Sequence, residues 1–197
     1  QIDQLKSDIA LTDQKLSLVN SVFLAGKNSI YPDLNLQYNN FDQLSQFDSS
    51  IALELALKTS KILPKSLGYF LPSIYENESL APYISKLVTL EGKLNGSLRE
   101  LNVEKFLLDA SETKFIARGM IKNPLDIDRL SVDKLELKGD IDYSDYRAFI
   151  SDPMLKNQVR KVGRIDVDMF LDGSLSSLDF KDLNLNTESL FSLKMNG

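Results

Sequence analysis

The chain has 197 residues, 43% hydrophobic and 26% charged, with 23 Lys and Arg against 28 Asp and Glu for a net charge of -5. It contains no His, Cys or Trp, which excludes imidazole acid–base chemistry, Ser-His-Asp and Cys-His nucleophiles, zinc sites with nitrogen or sulfur ligands, and disulfide staples. The apolar content suffices for a core, while the acidic balance argues against nucleic acid and against anionic lipid headgroups as partners.

No stretch approaches 18 consecutive apolar residues, so no transmembrane segment is expected. The chain opens at Gln1 without Met or a basic-then-apolar leader, and closes at Gly197 inside a strand-like pattern. The expectation is an internal fragment of a longer protein. No Pro/Gly/Ser-rich linker divides residues 1–197, which therefore read as a single β-rich segment.

In chain order, residues 29–38 carry Ile30, Leu34, Leu36 and Tyr38, with Pro32-Asp33 as an edge or bulge feature. Ile51, Leu53, Leu55 and Leu57 then alternate with Ala52, Glu54, Ala56 and Lys58 as a strand. Residues 64–72, bounded by Pro64 and Pro72, predict about two helical turns. From residue 88 the alternation is complete: Val88, Leu90, Gly92, Leu94, Gly96 and Leu98 lie on one side, and Thr89, Glu91, Lys93, Asn95, Ser97 and Arg99 on the other. Such a strand is one-sided and about 35 Å long.

The pattern recurs. Phe115, Ala117, Gly119 and Ile121 form one apolar set, Leu135, Leu137, Gly139 and Ile141 another. Residues 145–162, broken by Pro153, allow a short helix on either side of the break. Beyond them Ile165, Val167, Met169, Leu171, Gly173 and Leu175 alternate, followed by Phe191, Leu193 and Met195. The phase slips between Val103 and Phe106 and between Val132 and Leu135. Each slip predicts a turn or bulge, because a one-residue shift would otherwise turn the apolar side outward.

An internal repeat underlies these strands. Gly96, Leu98, Leu101, Val103, Phe106 and Leu108 are answered 77 positions later by Gly173, Leu175, Leu178, Phe180, Leu183 and Leu185. The copies span about 88–119 and 165–197, each reading strand, turn, strand, turn, strand. Gly96 and Gly173 could be turn glycines, but the unbroken parity through both favours in-strand glycines that let a wide sheet curl.

Carboxylates two apart occur at Asp126/Asp128, Asp140/Asp142 and Asp166/Asp168. They could hold calcium or form an acid–base pair, but no calcium-loop glycine accompanies them, and solubilising an outer sheet face is the simpler role. No metal or cofactor is expected. The large remaining feature is the apolar face. It can pack on a second sheet as a sandwich, or curl into a trough filled by a ligand. Burying a sixteen-carbon acyl chain releases about 12 kcal/mol at ~0.8 kcal/mol per CH₂, enough to replace a core layer.

The run Val88-Thr-Leu-Glu-Gly-Lys-Leu-Asn-Gly-Ser-Leu98, the segment 101–108 and Thr113-Lys-Phe-Ile-Ala-Arg-Gly119 resemble the repeating unit of AsmA-like envelope proteins, closest to the TamB family of the Bacteroidetes type. The order of Ser29-Ile-Tyr-Pro-Asp-Leu34, the strand at 53–57 and Leu67-Gly-Tyr-Phe-Leu-Pro72 is similar to that family as well. The resemblance implies an elongated, mainly β fold, a curled antiparallel sheet with an open apolar groove. It implies a non-enzymatic, periplasm-spanning protein anchored in the inner membrane. Such a protein shields phospholipid acyl chains on their way to the outer membrane and works with an Omp85-type outer-membrane assembly partner. By matching positions, Val88, Leu90, Leu94, Leu98, Phe106, Leu108, Phe115, Leu135, Leu137, Ile165, Val167, Met169 and Leu171 would line the groove. The alternatives are a ligand-free β-sandwich scaffold or adhesion module and, from the Asp pairs, a polysaccharide-active enzyme, which the absence of Trp disfavours.

Overall fold

The computed structural model describes residues 2–45, 50–69, 84–97, 99–110, 112–124, 126, 129–147, 150, 160–174, 177–187 and 192–195. The strands are β1 (Gln4–Leu11), β2 (Lys15–Ala25), β3 (Asn28–Ile30), β4 (Pro32–Gln37), β5 (Ala52–Ile62), β6 (Val88–Ser97), β7 (Glu100–Ala110), β8 (Thr113–Lys122), β9 (Ser131–Ile141), β10 (Ile165–Ser174), β11 (Ser177–Thr187) and β12 (Ser192–Met195). Two short helices, α1 (Phe41–Ser45) and α2 (Tyr143–Tyr146), and a 3-10 turn at Pro64–Tyr69 lie between strands.

All twelve strands belong to one antiparallel sheet in sequence order, β3 and β4 together filling the lane between β2 and β5. Each strand packs chiefly on its hydrogen-bonded neighbours. The described strands thus form one hydrogen-bonded sheet and not the two separate sheets of the sandwich weighed from sequence. A compact monomer of 22.2 kDa would expose roughly 9,400 Å². This chain exposes 12751 Å², about a third more.

The sheet holds one side apolar by spending a residue wherever the alternation slips. β7 shifts register against β8 between Val103 and Phe106. β9 shifts against β8 and β10 beside Lys134, whose φ is 48°. Both are the slips expected from sequence. Two further irregularities carry left-handed residues, Asn20 (φ 52°) in β2 and Asp182 (φ 49°) in β11. Asn20 and Lys134 have their N–H groups taken up by side chains, Asp33 Oδ1 at 2.7 Å and Asp172 Oδ1 at 2.7 Å.

Gly96 and Gly173 lie within β6 and β10, as the unbroken parity requires, and not at hairpin tips. The hairpins they belong to share one register. Gly96 pairs with Leu101 and Gly173 with Leu178, Leu90 with Leu108 and Val167 with Leu185. The 3-10 helix at Pro64–Tyr69 makes about two turns within the stretch 64–72 expected to be helical, and α2 overlaps the start of the region 145–162. Residues 70–83 and 151–159 lie outside the described residues.

Candidate functional site: an uncovered apolar face

Cross-strand partners in an antiparallel ladder share a face, so the registers assign every strand position to a side. One row across the sheet joins Leu11, Leu16, Leu36, Leu53 and Gly96. It continues through Leu101, Ile121, Val132, Gly173 and Leu178. A second row joins Leu90, Leu108, Phe115, Gly139, Val167, Leu185 and Leu193. A third runs Pro32, Leu57, Gly92, Phe106, Ala117, Leu137 and Met169. None of these positions carries a polar side chain, although on β5 the second row meets the fully buried Ser60, the partner of Leu90.

The predicted groove residues fall on this side. Leu90, Leu108, Phe115, Phe106, Leu137, Val167 and Met169 stand in the rows above. Leu94 pairs with Leu55 and Val103, Leu135 with Leu171, Ile165 with Ile141, and Val88 with Ile62. Leu98 lies outside the described residues. The sequence-based assignment left out the continuation over β1–β5, although the alternation of Leu53, Leu55 and Leu57 signalled it. Most of these side chains are only half-buried, the state of a face that touches its lateral neighbours and has nothing laid over it.

The opposite side is mostly polar, with Leu107, Ile116, Met120 and Phe170 among its apolar positions, and carries ion pairs: Lys58–Asp33 at 2.8 Å, Lys122–Asp133 at 3.0 Å, Lys138–Glu136 at 2.7 Å and Lys181–Asp172 at 2.8 Å. The Lys58 ammonium holds the Asp33 carboxyl below the usual carboxylate range, and the Lys181 ammonium does the same for Asp172. Of the paired Asp residues, Asp128 lies outside the described residues, Asp126 pairs with Arg129 at 3.6 Å in the loop after β8, and Asp140 and Asp168 serve this side. Asp140 faces Arg164 at 3.4 Å and Asp168 faces Lys138 at 3.6 Å. Asp142 caps α2 by accepting from the Ser144 N–H at 2.8 Å, and the Ser144 side chain first, then this N–H, hold its carboxyl below the usual range. Among the described residues no group of three or more acidic side chains is placed to hold a metal ion. A cavity of about 560 Å³ also opens on this side, around Lys58, Glu91, Lys93 and Lys105.

Two features bend the sheet toward its apolar side. A Cβ on Gly139 would overlap the Lys114 carbonyl oxygen of β8, and one on Gly119 would stand 2.5 Å from the Lys134 carbonyl oxygen of β9. The neighbouring backbones thus lean over the apolar side where only glycine lets them. The second is a tie at one end. Lys86, just before β6, donates to the fully buried Asp145 of α2 at 2.6 Å. Thr113, the first residue of β8, donates to the other Asp145 oxygen at 2.5 Å. In a flat sheet β6 and the end of β9 stand three strand spacings apart, about 14 Å. The α2 crossing and the reach of the Lys86 side chain span that gap, an arrangement consistent with a curled sheet.

Comparisons with protein-family models, with curated proteins and with solved structures find no match. No helix of the described residues is long and apolar enough to cross a membrane.

Proposed function

We propose that this chain is a non-enzymatic segment of a periplasm-spanning envelope protein of the TamB and AsmA-like type, and that its apolar face shields phospholipid acyl chains in transit toward the outer membrane. The observation that carries the reading is the set of apolar rows along one side of a single sheet, with no second sheet among the described residues. A face of that kind gains about 0.8 kcal/mol for each methylene it withdraws from water, and extended acyl chains can lie along it while their headgroups stay in solvent at the open edge. The resemblance of the 88–119 unit supports the same reading. In the whole protein an Omp85-type assembly partner would receive the cargo.

Native mass spectrometry of the chain purified from cells, together with photo-crosslinking to a lipid probe, tests it. Leu94→Asp or Met169→Asp should abolish lipid capture, while Ile116→Asp, on the polar side between Leu107 and Lys138, should leave it intact. Undiminished capture in the first two variants, or none in the native chain, overturns the reading.

A further inference from the structure

Lys93 of β6 and Lys105 of β7 stand directly opposite each other on the polar side of the sheet. Like charges at such a pair, with Cβ atoms about 5 Å apart, repel. Neither lysine makes an ion pair among the described residues. The carboxylates beside them on the same strands are engaged elsewhere: Glu91 accepts from the Thr59 hydroxyl at 2.6 Å, and Glu104 accepts from the Asn95 amide. Lys58 of β5 is bound to Asp33 at 2.8 Å.

The local backbone makes room over this pair. Leu57 pairs with Gly92 and Ser60 with Leu90, so Lys58 and Thr59 together oppose Glu91. Lys93 pairs with Lys105 and Leu94 with Val103, which leaves Glu104 as the extra residue on β7. Between these two bulges, which re-aim the side chains around them, one row runs Asp33, Ala56, Lys93 and Lys105. Ala56 puts only a methyl group in it. The cavity of about 560 Å³ opens there, and its charged lining sets Lys58, Lys93 and Lys105 against Glu91. In a chain of net charge -5 this is a local excess of positive charge.

The sheet itself does not require that excess. The hairpin β10–β11 repeats β6–β7 77 positions on, and it has Phe170 and Asp182 where the first has Lys93 and Lys105. There Phe170 lies opposite Lys181, whose ammonium is bound to Asp172 at 2.8 Å. The second hairpin satisfies its lysine internally, whereas the first leaves two ammoniums facing each other beside a cavity.

We propose that Lys93 and Lys105 form a binding site for the phosphate group of a small phosphate ester. Two ammoniums one strand spacing apart can each donate to a different phosphate oxygen, and the bound anion removes the repulsion between them. The remaining room, bordered by the Thr59 hydroxyl and the Glu91 carboxylate, takes the hydroxylated part of the ester. The site lies across the sheet from the apolar face, so its occupancy is independent of what that face carries.

Isothermal titration calorimetry of the chain with glycerol 3-phosphate and with inorganic phosphate tests the site. The ester should bind saturably and more tightly than inorganic phosphate. Lys93→Gln and Lys105→Gln should each weaken it by about ten-fold or more, the loss of one charge-assisted contact. Lys181→Gln makes the same change in net charge in the second hairpin and should leave binding unchanged. The Lys93 and Lys105 variants should unfold at temperatures no lower than the native chain, since each relieves a like-charge contact. Sedimentation with phosphatidylglycerol vesicles separates two sources of the same chemistry: vesicle binding that needs both lysines places the phosphate on a lipid headgroup, and binding of the soluble ester alone places it on a free molecule. The proposal is overturned by the absence of binding in both forms, by inorganic phosphate binding as tightly as the ester, by equal weakening in Lys181→Gln, by native affinity in the Lys93 and Lys105 variants, or by a lowered unfolding temperature that marks those lysines as structural.

Discussion

Strands β6–β9 and strand β1 carry the same apolar alternation, yet their fates differ. At the tied end of the central strands Val88 is 8% exposed and Ala110 2%, and Val103 in mid-strand is 3% exposed. On β1, Leu5 and Ile9 stay open to water. Alternation decides which side a residue faces, and both regions obey it. Coverage is set by something else: how far the sheet curls, and whether a distant group is brought over the face. Around β6–β9, glycines without a Cβ let neighbouring backbones close in, and Asp145 draws Lys86 and Thr113 together. β1 has one neighbour and no such tie.

The sharpest way to break that contrast is to cut the tie. Asp145→Ala leaves the Lys86 ammonium and the Thr113 hydroxyl without this carboxylate in a buried setting, and should destabilise the chain by about 3 kcal/mol, toward the lower end for a broken buried pair because Lys86 keeps some solvent contact. A urea-unfolding midpoint measures it. The companion Asp145→Leu/Lys86→Met variant should be milder, since it removes both charges at once. Next in size, Gly139→Ala forces β8 and β9 apart at the Lys114 carbonyl and should cost about 1–3 kcal/mol. Were Gly139→Ala harmless, the curl would not depend on close backbone approach there.

Much of this contrast was legible in the residues. The alternation placed Leu90, Phe115, Val167 and the other groove positions on one side, and the two phase slips named the bulges at Val103–Phe106 and beside Lys134. In-strand Gly96 and Gly173 followed from unbroken parity. The bulges at Asn20 and Asp182 were not found, because polar residues in left-handed turns leave the flanking apolar spacing ambiguous over a few positions. The tie was invisible for a deeper reason: Lys86, Thr113 and Asp145 are far apart in sequence, and no local periodicity links them. Whether a sheet curls onto itself or packs on a second one is likewise a property of long-range coverage, which alternation, a nearest-neighbour pattern, does not encode.

Smaller effects separate the regions further. Val103→Ala empties a buried site and should cost about 1–2 kcal/mol, whereas Ile9→Ala at the exposed edge should change stability by less than about 0.5 kcal/mol. Equal losses would mean that β1 is covered in solution. The smallest effect distinguishes the polar side from the apolar one. The Asp33 and Asp172 carboxyls titrate below their ordinary value in the folded chain, chiefly through bonds from Lys58 and Lys181. Because the unfolded chain binds these protons more readily, their stabilisation is full above the ordinary carboxylate range and fades as pH falls through it and below. Both pairs are exposed and salt-screened, so the loss is modest. Unfolding midpoints compared between neutral pH and about pH 3 should fall less in the Asp33→Asn/Asp172→Asn variant than in the native chain, while Val103→Ala should follow the native pH dependence. That outcome assigns the acid sensitivity to the ion-paired side and leaves the apolar face, which has nothing to titrate, indifferent to pH.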